Sequence, residues 1–212
     1  MERVGESAMG DGSVRWLWLL GVVFVLLAVV VGLVTYDRLV GTAVPAEMAG
    51  SADDRATARQ AFVPAAELAG QWQEDAGLVA VSGHLTAVGV QLPGRVEWAF
   101  QFYSPATQRL MLVTVADGAA QVVRESLSPY VVPTFSAEEW RVDSDRALQT
   151  WWDRGGKTLV ARRPDVDLAA QLRVPDGKVG GQPVWTVVGS MPGTETAFTV
   201  AMNATDGTLV AE

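Results

Sequence analysis

The chain has 212 residues, 24 acidic against 16 basic side chains, a formal net charge of −8, a single histidine and no cysteine. Without cysteine there is no disulfide, thiolate metal site, thiol nucleophile or covalent c-type haem attachment. The acidic balance argues against nucleic acid or an anionic lipid surface as the ligand, since both select clustered Lys and Arg.

Residues 1–15 form a short tail. Residues 16–36 (WLWLLGVVFVLLAVVVGLVTY) are 21 positions without a charged side chain. A hydrocarbon core of about 30 Å needs about 20 apolar residues in a helix, so this stretch predicts a single membrane-spanning segment. Trp16, Trp18 and Tyr36 sit at its ends, where amphipathic rings favour the headgroup region, and Arg15 and Asp37-Arg38 close it. The apolar run exceeds the usual core of a cleaved signal peptide, and charge separates it from the nearest small-residue stretch, so an uncleaved anchor is expected. The short tail ahead of it places residues 1–15 in the cytoplasm and the rest outside, at the cell membrane. Gly21, Ala28 and Gly32 lie seven and four residues apart, near one face of that helix. Small residues let helix backbones approach closely in lipid, which makes these three the candidate helix–helix packing positions.

Residues 37–62 are rich in Ala, Gly and charge and read as a linker. Beyond it the chain repeats itself, in a unit spanning 63–130 and another spanning 131–212. Pro64 is expected as the first residue of a helix carrying Leu68 and Trp72 on one face, with Gly77 as its stop. Val88, Val90 and Leu92 alternate as a strand, and Pro93-Gly94 makes a turn. Trp98, Phe100 and Phe102 then alternate with Ala99, Gln101 and Tyr103 in the next strand. A turn at SPATQ leads to a strand over 110–115, the tight turn Asp117-Gly118, and a short strand over 121–123. Segment 126–142 joins the units, kept extended by its prolines.

In the second unit Asp143 or Ser144 caps a helix bearing Leu148, Trp151 and Trp152, ended by Gly155-Gly156. Val166, Leu168, Ala170, Leu172 and Val174 alternate with polar residues and small Ala169, the mark of a strand with one buried face. Trp185 and Val187 follow on a second strand, Phe198, Val200 and Met202 on a third, and Asp206-Gly207 turns into a short strand over 208–211. Each unit is expected to be a helix over an antiparallel meander, a two-layer α+β core of its own. Trp72 and Trp152 take equivalent core positions in this scheme.

A capped helix, a meander with an aromatic opening one strand, and the ending Asn203-Ala204-Thr205-Asp206-Gly207-Thr208-Leu209 resemble the PepSY domain, a small cystatin-like module. The first unit keeps only Asp117-Gly118 of that ending, and Asn203 stands where the family carries an acid. The resemblance implies tandem extracytoplasmic, non-catalytic modules on a membrane anchor, similar in layout to TseB-type regulators of cell-wall synthesis.

No catalytic, cofactor or metal site can be assembled from the residues. His84, alone between Gly83 and Leu85, lacks ligand or triad partners. Asp53-Asp54 and Glu138-Glu139 are neighbours that point apart or into solvent. Asp165 and Asp167 share one strand face but two carboxylates do not fill a calcium shell. Gly180-Gly181 precedes no helix start, so it is not a phosphate loop. The expected role is therefore a non-enzymatic interaction protein, a regulator or accessory subunit of a membrane-associated complex. Inhibition or chaperoning of a secreted protease, and service in an electron-transfer assembly, are the alternatives.

Overall fold

The computed structural model describes residues 56–86, 96–162, 166–175, 181–191 and 197–210. The apolar segment 16–36 with Gly21, Ala28 and Gly32, the linker to residue 55, and the expected strand at Val88–Leu92 lie outside them. Among the described residues no helix is long and apolar enough to cross a membrane.

The first helix, α1, runs Ala58–Trp72. Thr57 starts it: its side chain accepts the Gln60 N–H, and the Gln60 side chain accepts the Thr57 N–H at 2.8 Å. This reciprocal capping box satisfies two N–H groups that a helix start otherwise leaves open. The helix thus begins a turn and a half earlier than Pro64 suggested, and Pro64 sits inside it. The Thr57-x-x-Gln60 spacing was the readable signal. The buried face of α1 is Ala58, Ala61, Ala65 and Ala69, a stripe at intervals of three and four with no bulk of its own.

After α1 come β1 (Gly77–Thr86), β2 (Glu97–Ser104), β3 (Arg109–Ala116) and β4 (Ala119–Leu127). Asp117 and Gly118 both hold positive φ, 51° and 77°, between the closing pair Ala116 and Ala119. Positive φ at both central residues of a two-residue loop defines the primed turn whose twist suits a hairpin. The second half contains α2 (Ser144–Trp151), a wide turn over Trp152–Gly156 and α3 (Lys157–Arg162). The strands β5 (Asp167–Arg173), β6 (Val184–Ser190) and β7 (Ala197–Asn203) complete it. Gly155, at φ 154°, kinks the helical path without ending it, a correction to the expected stop.

All seven strands form one antiparallel sheet in the order β4-β3-β2-β1-β5-β6-β7. The two meanders are therefore joined edge to edge through β1 and β5, where Val81 pairs with Leu172 and Leu85 with Leu168. This overturns the expectation of a separate two-layer core in each unit. The first strand is Gly77–Thr86, in a stretch not read as a strand, and Gly77 opens it instead of stopping a helix.

Both helices start at the middle of the same sheet face. The Asp143 carboxylate accepts the Ser144 N–H at 2.7 Å and the Arg59 N–H of α1 at 3.1 Å, while the Ser144 hydroxyl accepts the Ala58 N–H at 3.0 Å. One carboxylate thus serves two helix N-termini, where both macrodipoles favour negative charge. From that junction α1 packs across β2–β4, and α2 across β6 and β7.

The core between the layers is aromatic. Trp98, Trp140, Trp151 and Trp185 are all buried to within 1 %. Trp72 and Trp152, expected at equivalent core positions, are only partly buried against its rim. The Trp140 ring meets Trp185 edge-on at 6.0 Å, and Trp185 meets Trp98 at 6.3 Å. Trp98 reaches toward the sheet centre because Gly83 on β1 has no Cβ, which would lie 2.5 Å from the ring. Segment 126–142, expected as a plain connector, contributes buried Phe135 and Trp140, and Phe135 donates its N–H to the Leu78 carbonyl at 2.8 Å.

Candidate interaction surface

Among the described residues no group of three His, Cys, Asp or Glu side chains is placed to hold a metal. His84 is exposed on the helix-free face of β1, beside Glu97 on β2. Glu138 and Glu139 are exposed, and Glu139 accepts the Ser136 N–H at 2.7 Å. Asp167 begins β5; Asp53, Asp54, Asp165 and Gly180 lie outside the described residues. A groove of about 370 Å³ runs beside Phe62, Leu78 and Phe135, and another of about 330 Å³ beside Arg154 and Phe198. Both are open and shallow, and neither gathers convergent polar groups of the kind that orient a small ligand.

Asp75 and Asp206 hold turns. The Asp75 carboxylate accepts the Ser104 hydroxyl and the Ala106 N–H, both at 2.7 Å, which fixes the loop between β2 and β3. Those two bonds, the hydroxyl first, hold its pKa below 3.8. Asp206 is lowered likewise by the Thr208 N–H and hydroxyl. A lowered folded-state pKa stabilises the fold above the unfolded value, and the benefit disappears as pH falls through the folded value. Melting temperature followed from pH 6 downward should therefore fall more steeply for the parent than for Asp75→Asn below about pH 4. Parallel acid limbs would show that the Asp75 carboxylate contributes nothing.

The surface feature that stands out is the outer edge. Among the described residues β4 has no strand beyond it in the sheet. On β4 and just after it, Val122, Val123, Leu127, Tyr130 and Val131 are exposed, Leu127 at 76 % and Val131 at 70 %. An edge strand presents backbone N–H and C=O groups able to pair with another chain, and natural edges are usually blunted. The opposite edge is blunted here. The Asn203 N–H donates to the Thr208 carbonyl at 2.8 Å and the Val210 N–H to the Ala201 carbonyl at 3.0 Å, so residues 208–210 cover the end of β7. Of the strand expected over 208–211, the described residues form a single bridge, Leu209 to Met202.

On β4 the protection is local. A bulge interrupts its register opposite Leu112 and Val113, and Glu125 is tied to Arg109 at 3.2 Å and to the Trp72 indole N–H at 3.1 Å. The sequence gives Val122, Val123 and Leu127 no distinguishing mark, because only the sheet order makes β4 an edge.

A scan against protein-family models and a search of curated proteins found no match. Among solved structures, the chain is similar to a "putative lipoprotein" from Clostridium difficile 630, with 8 % sequence identity and a TM-score of 0.43, covering 71 % of this chain and 90 % of that one.

Proposed function

We propose that this chain is a non-enzymatic, membrane-anchored protein whose globular part lies outside the cytoplasm and binds another membrane-associated protein. It acts there as a regulator or accessory subunit. The observation that carries this reading is the set of exposed apolar residues on and just after β4, which is an edge strand among the described residues: Val122, Val123, Leu127, Tyr130 and Val131. Strand addition to such an edge draws affinity from backbone hydrogen bonds and specificity from alternate side chains. The apolar span at 16–36 supplies the anchor in this reading, and the PepSY resemblance supports an extracytoplasmic, non-catalytic module.

Val123→Asp with Leu127→Asp tests it, because both side chains are exposed and neither supports the core. The parent, extracted in mild detergent, should bring down a partner at fixed stoichiometry. The double variant should recover it at least about tenfold less, since a charge buried unpaired at an interface core is strongly unfavourable. Equal recovery by a double variant that melts like the parent would remove the edge from the reading. Purified chain that runs without a partner and slows a secreted protease in trans would replace the subunit role with inhibition.

A further inference from the structure

The helix-free face of the sheet is unusual in composition. The strand registers define rows running across this face. One row reads Thr114, Ala99, Ser82, Gln171, Thr186 and Ala201 from β3 to β7. The solvated side of an antiparallel sheet is ordinarily polar. Here that row is uncharged and mostly short, in a chain with 40 charged residues. The formal charges that β1–β7 place on this face are Glu97, Arg124, Asp167 and Arg173, which sum to zero within a chain of net −8. Depletion of charge, rather than bulk apolarity, marks the centre of a protein interface.

We infer that this face packs against the same face of a second copy, about a two-fold axis perpendicular to the strands. Three observations select that occupant. The first is charge placement: Asp167 and Arg173 stand on one strand, β5, at its two ends. A two-fold perpendicular to the strands lays Arg173 of each copy over Asp167 of the other, forming two opposite-charge pairs. A two-fold along the central strand β1 lays β5 over β2 with Ala169 level with Glu97 and Arg173 level with Gln101, and so gives Arg173 no acidic partner. Secondly, the size fits. Seven strands spaced about 4.8 Å apart, each about seven residues long at about 3.3 Å rise, outline roughly 800 Å². A standard interface takes about 800 Å² from each partner. Thirdly, the mostly short side chains of the row from Thr114 to Ala201, next to that axis, suit two sheets packed face to face at about 10 Å.

The test uses the full chain in detergent, with the protein mass in the micelle read by light scattering or native mass spectrometry. The parent is expected to run as two copies. Arg173→Asp or Asp167→Arg alone sets like charges opposite each other twice and should weaken the pair at least about tenfold. Combining the two swaps restores opposite charges and should restore the pair. Ser82→Lys, at an exposed position near the axis, should also give single copies, and it keeps the test open if the combined variant does not melt like the parent. A single-copy parent, or single swaps that keep the two-copy mass, would overturn the inference. So would loss of the pair in Ala28→Leu/Gly32→Leu while Arg173→Asp retains it, because the membrane segment would then hold the copies together. A second protein on the face in place of the second copy has the same consequence. The Val123→Asp/Leu127→Asp variant should leave the two-copy mass unchanged, so the edge and the face stand or fall separately.

Discussion

Replacing Trp151 with alanine should destabilise the fold by about 3–5 kcal/mol, the range for removing a fully buried aromatic ring. The ring is completely buried at the end of α2, and its N–H donates to the Phe198 carbonyl of β7 at 2.8 Å. What makes the site exacting is its walls. A Cβ added at Gly156 or at Gly189 would lie 2.2 Å from ring atoms, far inside contact distance. Gly189→Ala therefore cannot be absorbed by a small rotation of the ring, because Gly156 already abuts it. Neither glycine holds positive φ, so backbone strain is not the issue and space alone decides. Overpacking of this kind typically costs about 1–3 kcal/mol, and a wall this close belongs at or above the upper end. Denaturant midpoints at constant slope would measure both variants. A Gly189→Ala protein as stable as the parent would show that the ring is not held in this slot. Trp152→Ala and Trp72→Ala, at partly exposed positions, should lose distinctly less.

Trp185→Ala should be of comparable size, about 3–5 kcal/mol, and should show that the two halves unfold as one. Trp185 stands on β6 in the second half, but its ring touches Trp98 of β2 and Trp140 of the connector. Its N–H shares an acceptor with Trp140: the Val142 carbonyl receives Trp185 at 2.8 Å and Trp140 at 2.9 Å. Beyond Trp140 the contacts continue to Phe62 of α1 at 5.7 Å, and Arg59 lies over the Trp140 ring at 5.1 Å. Taking out the middle ring removes contacts to β2 and to the connector at once, while the Val142 carbonyl keeps one donor. A single, earlier transition is expected, with fluorescence and far-ultraviolet dichroism coinciding. A first half that kept its own transition after Trp185 is lost would establish two independent cores and contradict the shared aromatic layer.

How much of this was legible depends on whether the signal is local. The alternation from Val166 to Val174 marks β5 because each inward residue is apolar and large enough to register, and all five are buried. Asp117-Gly118 is readable because only a few residue types accept positive φ twice in succession. β1 defeats the same reading. A register shift at Val79 breaks its alternation, and the inward position at Gly83 is emptied to admit the Trp98 ring. The helix α1 hides its face in alanines, whose burial matters for close approach but barely marks periodicity. Among the tryptophans, helical spacing distinguishes a face from its rim poorly, which is why Trp152, expected in the core with Trp151, lies at the rim while Trp151 is fully buried.

The sequence by itself determined the strands β2, β3, β5 and β6, the hairpin turn before β4 and the capped start of α2, since each rests on contacts within a few residues. Only the tertiary structure decided that β1 pairs with β5, that Asp143 serves two helices, and that β4 is left as an edge with its valines exposed. Those features join residues about 80 or more positions apart, or follow from strand order. Local periodicity carries no term for either, because pairing between distant strands is set by which apolar surfaces remain to be covered once each hairpin has formed.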